Sequence, residues 1–168
     1  KKWQRAVSMT RNNQASLTSE ALFSELYPEM RQNARFLITY ANWKYKNGCD
    51  TTALKLLEEA RLYFCDITLS LKLAKLYEKL NFPSKAKKHY DLAINIAPDR
   101  FTAAYEKILF LINQRNYRMA YQCCKNLYNK PVKNTTYADP YIIKSRLAKM
   151  MDEFENSSRI TSFGNQVN

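Results

Sequence analysis

At 168 residues, with 46% hydrophobic and 13% aromatic content, the chain is long enough for a continuous core and too apolar to stay disordered. Two glycines and five prolines leave little material for β-hairpin turns or phosphate-cradling loops, so an all-α fold is expected and the nucleotide-loop enzymes are excluded. The formal charge of +12 could draw nucleic acid, anionic headgroups or acidic polymers, but the lysines are spread along the chain rather than gathered in one tail.

No apolar run approaches the roughly 18 residues needed to cross a bilayer. The opening residue is Lys1 rather than Met, as in a processed protein or an excised piece of a longer one. Lys2 to Arg11 reads as a short amphipathic helix with Trp3, Ala6 and Val7 on one face. After Asn12-Asn13, the stretch Ala15 to Tyr27 predicts a second helix with Leu17, Ala21, Leu22 and Leu26 inward and Pro28 closing it. Together residues 1–32 form a degenerate first hairpin.

From Asn33 the pattern sharpens. Phe36, Leu37, Tyr40 and Ala41 share one helix face, Gly48 permits a turn, and Ala53, Leu57 and Ala60 mark the next helix. The stretch Ile67 to Arg100 repeats the design: Leu73-Ala74, Tyr77, Ala86, Tyr90, Ala93 and Pro98 stand at the spacing of a tetratricopeptide repeat, with Ser70 in the Trp place. Small Ala74 and Ala86 let two antiparallel helices approach, and Pro98 stops the second. A third unit opens at Phe101, with Ala104, Ile108 and Leu111 inward, turns at Asn116 and continues through Tyr117, Ala120, Cys124 and Leu127 to Pro131. Ala53 to Ala86 is 33 residues and Ala86 to Ala120 is 34, which fixes the period.

Beyond a polar loop from Lys130 to Ala138, Asp139-Pro140 begins a final helix with Tyr141, Ile142, Ser145, Leu147, Ala148, Met151 and Phe154 on its apolar side. The expected architecture is a right-handed solenoid of hairpins in one domain over 1–156: repeats at about 33–66, 67–100 and 101–134, a cap at about 139–155, and a polar tail over 157–168.

Chemistry has few places to reside. Cys49 and Cys65 lie about 20 Å apart at roughly 1.5 Å per helical residue, beyond the ~7 Å a disulfide tolerates. Cys123 and Cys124 are adjacent and diverge on a helix, so four free thiols are expected. His89 is the only histidine and reads as a surface side chain. Glu58-Glu59 and Asp152-Glu153 are neighbours rather than facing pairs, and the sequons at Asn134 and Asn156 are short matches. No catalytic, cofactor-binding or metal-ligating residue is assigned, and the chain reads as no enzyme.

In such a stack the first helix of each hairpin lines the concave face. That face would carry Arg35, Asn42, Tyr45, Lys72, Lys75, Lys79 and Tyr105, together with Ile38, Thr68, Leu71, Thr102 and Leu109. Lys72, Lys75 and Lys79, spaced by three and four, share one side of a helix and concentrate positive charge. The face suits an acidic peptide, with an anionic glycan or membrane surface as further possibilities; nucleic acid ranks lower because glutamates interleave the lysines. Of the lysine–asparagine clamp used by chaperone-tail binders, only Asn42 matches.

Three phrases go further. Leu26 to Gly48 (LYPEMRQNARFLITYANWKYKNG), Ala93 to Leu111 (AINIAPDRFTAAYEKILFL) and Asn129 to Thr135 (NKPVKNT) resemble the soluble tetratricopeptide tail of Bacteroidetes O-antigen ligase or polymerase family proteins. The resemblance implies a periplasmic interaction module following membrane helices that hold the glycan chemistry. It departs from that family in Ala103, where proline is expected, and in its four cysteines. The other reading from the same residues is an intracellular repeat adaptor that recognises an acidic peptide.

Overall fold

The computed structural model describes residues 17–133 and 139–164, with side chains for 19–133 and 139–156. The expectations for Lys2 to Arg11 with Trp3, for the Leu17 side chain and for the sequon at Asn134 lie outside these. Among the described residues there are eight helices and no strand. They are α1 (Leu17–Met30), α2 (Ala34–Lys46), α3 (Asp50–Arg61), α4 (Ile67–Lys79), α5 (Pro83–Ile96), α6 (Phe101–Asn113), α7 (Tyr117–Asn129) and α8 (Asp139–Gly164).

The hairpin turns repeat in atomic detail. Gly48, Asn81 and Arg115 all adopt positive φ (77°, 62° and 56°), at the 33- and 34-residue intervals read from the alanines. In each turn the next residue's N–H reaches back to a carbonyl of the helix just ended: Cys49 to Lys44, Phe82 to Tyr77 and Asn116 to Leu111, at 2.9, 2.8 and 2.9 Å. This six-to-one closure around a left-handed residue satisfies carbonyls the helix end leaves open. The same three residues then accept the first bond of the following helix, from Ala53, Ala86 and Ala120. A Cβ on Gly48 would meet nothing within 4 Å, so backbone conformation rather than space selects glycine there. Upstream, Asn33 and Asp66 cap α2 and α4 by accepting from the Phe36 and Leu69 N–H groups.

The chain divides within α5 into two compact units, Lys1–Ala86 and Lys87–Asn168. In the first, α1 packs on α2, α2 on α3 and α3 on α4. Alanines at 0% exposure (Ala53, Ala60, Ala74, Ala86) lie on the buried stripes of α3, α4 and α5. Phe23 stacks on Tyr40 with ring centroids 4.7 Å apart and lies 6.0 Å from Phe36 and 5.8 Å from Trp43. In the second unit α6, α7 and α8 pack on one another around Phe101, Ile108, Cys124, Leu127, Ile143 and Leu147. Tyr90 of α5 sits 5.3 Å from Phe110 of α6.

Five expectations change. Pro28 does not close α1, which continues to Met30: in the last turn a proline forfeits only the bond to Ser24's carbonyl. The inward face of α1 is Ser19, Phe23 and Leu26, with Ala21 exposed, because the Phe23 ring has an aromatic cluster on α2 to enter. On α8 Ile143 and Leu147 are buried while Tyr141 and Ile142 are 61% and 49% exposed. That helix also runs past 155 to Gly164, since no proline or glycine interrupts it after Pro140. His89 is buried, falling three residues after Ala86 and four before Ala93 on the inward stripe of α5.

Candidate functional site

The groove residues are placed by the alanine seams. Asn42 and Lys75 directly follow Ala41 and Ala74, the small residues buried where helices approach, so each side chain emerges beside a seam. Between α2 and α4 lies a cavity of about 130 Å³ lined by Ala41, Asn42, Tyr45, Leu57, Lys72, Lys75 and Leu76. Ala41, Leu57 and Leu76 are buried and give it apolar walls; the four polar or aromatic residues form its rim.

Lys72 is half-buried, and its Nζ donates to Asn42 Oδ1 at 2.6 Å across the two helices. Burial holds its ammonium below the ordinary lysine range, opposed by the Asp66 carboxylate. Lys79 behaves differently. It pairs with Asp50 at 2.8 Å, which raises its pKa, and its Nζ lies 4.8 Å from the Tyr45 ring centroid. The three lysines therefore do not act as a uniform stripe: Asp50 answers Lys79, and Asn42 braces Lys72. Arg35 is exposed in the first turn of α2 and is not among the lining residues. Tyr105 belongs to the second unit, where it packs against the Phe101–Leu147 core. The sequence reading did not find Leu57 and Leu76 as walls, nor Asp50 as the partner of Lys79. Leu57, four residues after Ala53 and three before Ala60 on one stripe of α3, was the available signal for one wall.

A shallower basin of about 500 Å³ is lined by Leu54, Lys55, Glu58, Glu59, Arg61, Leu62 and Tyr77. Its carboxylates are engaged by the protein itself. The Tyr27 hydroxyl reaches both oxygens of Glu59 at 2.8 Å, and Glu58 accepts from Tyr77 at 2.8 Å and from Arg61 at 2.9 Å. Burial, then the bond to Glu58, pushes the Tyr77 hydroxyl up to about 12. These groups hold helices together rather than present an acid–base pair. Cys49 and Cys65 are exposed, Cys123 is intermediate and Cys124 is buried, its thiol pushed up to about 11 by burial; all four are free. Among the described residues no cluster of three His, Cys, Asp or Glu side chains could hold a metal ion, and no helix is long and apolar enough to cross a membrane.

No protein-family model matches the chain, and no curated protein does. Solved structures do. The structure of pilF from Pseudomonas aeruginosa matches at TM-score 0.64 with 22% identity, over 99% of this chain and 73% of that one. One structure of MamA matches at TM-score 0.60 with 11% identity over 86% and 89% of the two chains. Another, MamA AMB-1, matches at 0.63 with 14% identity over 99% and 89%. These are tetratricopeptide-type proteins, and the all-α tetratricopeptide fold is thereby shown for this chain.

Proposed function

We propose that the chain is a non-catalytic protein-interaction module that uses the groove between α2 and α4 to bind an acidic segment of a partner protein. The observation that carries this is Lys72: an ammonium half-withdrawn from water, braced by Asn42, at the edge of an apolar cavity. Withdrawing a charge from water is unfavourable unless something compensates it, and an incoming carboxylate compensates better than a neutral amide. The apolar walls of Ala41, Leu57 and Leu76 favour the side chains of a peptide over a hydroxyl-rich glycan.

The test is a titration with a capped octapeptide of alternating glutamate and leucine, followed by calorimetry at several salt concentrations. Replacing Lys72 and Lys75 with Gln should weaken binding and flatten its salt dependence while the melting temperature stays level or rises slightly. Equal binding by wild type and double variant at low salt would remove the groove from the function.

A second reading rests on the three phrases at Leu26 to Gly48, Ala93 to Leu111 and Asn129 to Thr135. Under it the module is the periplasmic tail of a glycan-assembly membrane protein, and the groove binds a protein of the same assembly. An upstream coding sequence with about ten or more spans of membrane length supports it, and a soluble upstream domain overturns it.

A further inference from the structure

We propose that the outward face of the first three turns of α8, with the end of α7 beside it, docks on the surface of an anionic lipid bilayer. The inference is independent of the groove between α2 and α4. It begins with how unevenly charge is distributed. From Arg115 to Met151 the chain carries eight lysines and arginines and one acidic residue, Asp139, so these 37 residues hold +7 of the formal +12. Lys130 and Lys133 are turned back onto the protein, to the Pro98 carbonyl and to Asp99. Arg118, Lys125, Arg146 and Lys149 are exposed, and among the described residues no ion pair engages them.

Helical geometry gives the charges of α8 a common direction. This helix buries Ile143 and Leu147 in the core it shares with α6 and α7. At 3.6 residues per turn Tyr141, Ser145 and Lys149 therefore run along the opposite side, with Ile142 next to them, and all four are exposed. Lys144 lies on one flank of that line and Arg146 on the other. The Lys144 flank meets α7: its Nζ is 5.7 Å from the ring centroid of exposed Tyr128, and Lys125 stands three residues before that tyrosine. Tyr141 and Ile142 thus form an apolar spot among cations. Past Lys149 the sign changes, because exposed Asp152 and Glu153 follow it. Against an anionic surface α8 consequently lies tilted, its N-terminal turns seated and its acidic turns lifted away.

This pattern fits lipid better than other polyanions. A helix at a bilayer interface seats apolar and tyrosine side chains at the headgroup boundary and keeps lysines and arginines level with the phosphates, where each contributes about fivefold in affinity. Ile142 has no ring to stack on a nucleobase, and Tyr128 already has a lysine over its face, so a single-stranded nucleic acid would find charge here and little stacking.

In the test, the full chain is mixed with vesicles of phosphatidylcholine alone or with about a third phosphatidylglycerol, and the bound fraction is read by flotation at several salt concentrations. The expected result is binding to the phosphatidylglycerol vesicles that fades as salt rises, and at least about tenfold weaker binding to phosphatidylcholine. Lys144→Gln with Lys149→Gln should weaken binding by about twentyfold. Tyr141→Ser with Ile142→Ser should weaken it by about tenfold at constant charge. Circular dichroism of both variants should match wild type, so that lost binding is not lost structure. Lys87→Gln with Lys88→Gln removes the same charge from two exposed positions on α5 and should cost less than about threefold. Equal binding to the two vesicle types, an unaffected Tyr141 and Ile142 variant, or equal losses from the α5 and α8 lysine pairs would each overturn the inference. Tighter binding to a single-stranded oligonucleotide, impaired by the same α8 substitutions, would overturn it too and reassign the face to nucleic acid. Since the glutamate–leucine octapeptide plays no part, failure here leaves the groove reading intact, and failure of the groove leaves this face.

Discussion

The first unit buries aromatic rings whose polar ends are tied down: Phe23 stacks on Tyr40, and the hydroxyls of Tyr27, Tyr40 and Tyr77 donate to Glu59, Glu20 and Glu58. The second buries aliphatic and sulfur-bearing side chains, Ile108, Leu127, Ile143, Leu147 and Cys124, with Met150 and Met151 filling in around them. Both are built on the same turn at the same period, so the repeat prescribes how helices are joined and where alanines sit, and leaves the filling open. It also leaves the groove open. One repeat after Lys72 and Lys75 the chain has Glu106 and Leu109, so the basic rim is a property of the first unit and not of the motif.

The strongest way to break the comparison is to empty each core. Phe23→Ala should cost about 3 to 5 kcal/mol and Leu147→Ala about 2 to 5, both being fully buried, as read from denaturant unfolding followed by circular dichroism. Equal and negligible effects would contradict the two-core arrangement. Next in size is Ala86→Leu at the 0%-exposed seam of α5: overpacking should lower stability by roughly 1 to 3 kcal/mol, and an unchanged melting temperature would refute the assigned hairpin register. Ser70 stands where the repeat carries its large aromatic; it is 1% exposed and its hydroxyl has no hydrogen-bond partner among the described residues. Ser70→Ala should therefore raise stability, by about 1 kcal/mol.

Smaller still are the turns, which compare the units at equivalent sites. Gly48→Ala should lower the melting temperature and Arg115→Gly should raise it, each by less than about 1 kcal/mol, because only glycine occupies positive φ without strain. The last comparison is one of pH slope, and it belongs to Tyr77. Its hydroxyl is held at about 12 against an ordinary 10, so the folded state retains that proton more tightly. The contribution is complete below pH 10 and is lost as pH climbs from about 10 to 12. Tyr77→Phe should flatten the alkaline part of the stability curve over that interval and leave its slope near pH 7 unaltered.

What the sequence disclosed and what it withheld follow from how many neighbours an element has. Alanines 53, 86 and 120 were legible because a helix packed on both sides tolerates only small residues at its crossings, and that constraint recurs with the period. The helices α1 and α8 stand outside the repeats. There spacing alone offered two adjacent faces, and aromatic partners on α2 chose Phe23 over Leu22, as the α6–α7 core chose Ile143 over Ile142. His89 was misplaced because residue type was weighed above position on α5. In the groove, Asn42, Tyr45, Lys72 and Lys75 could be assigned to one face by helical spacing, and they line one cavity. The pairing of Lys79 with Asp50 joins residues 29 apart across two helices, a contact that no local pattern encodes.

The turn residues Cys49, Phe82 and Asn116 have a bearing on how this protein breathes. Each gives its N–H to the helix behind and its carbonyl to the helix ahead. Deuterium reaching one of those amides must first loosen the last turn of one helix and, by swinging the same peptide unit, the first turn of the next. Exchange at Cys49, Phe82 and Asn116 should consequently run at the pace of their hairpins rather than at the pace of exposed loops. Three amides outside any helix would then serve as slow clocks, each timing the opening of a helix pair as one event.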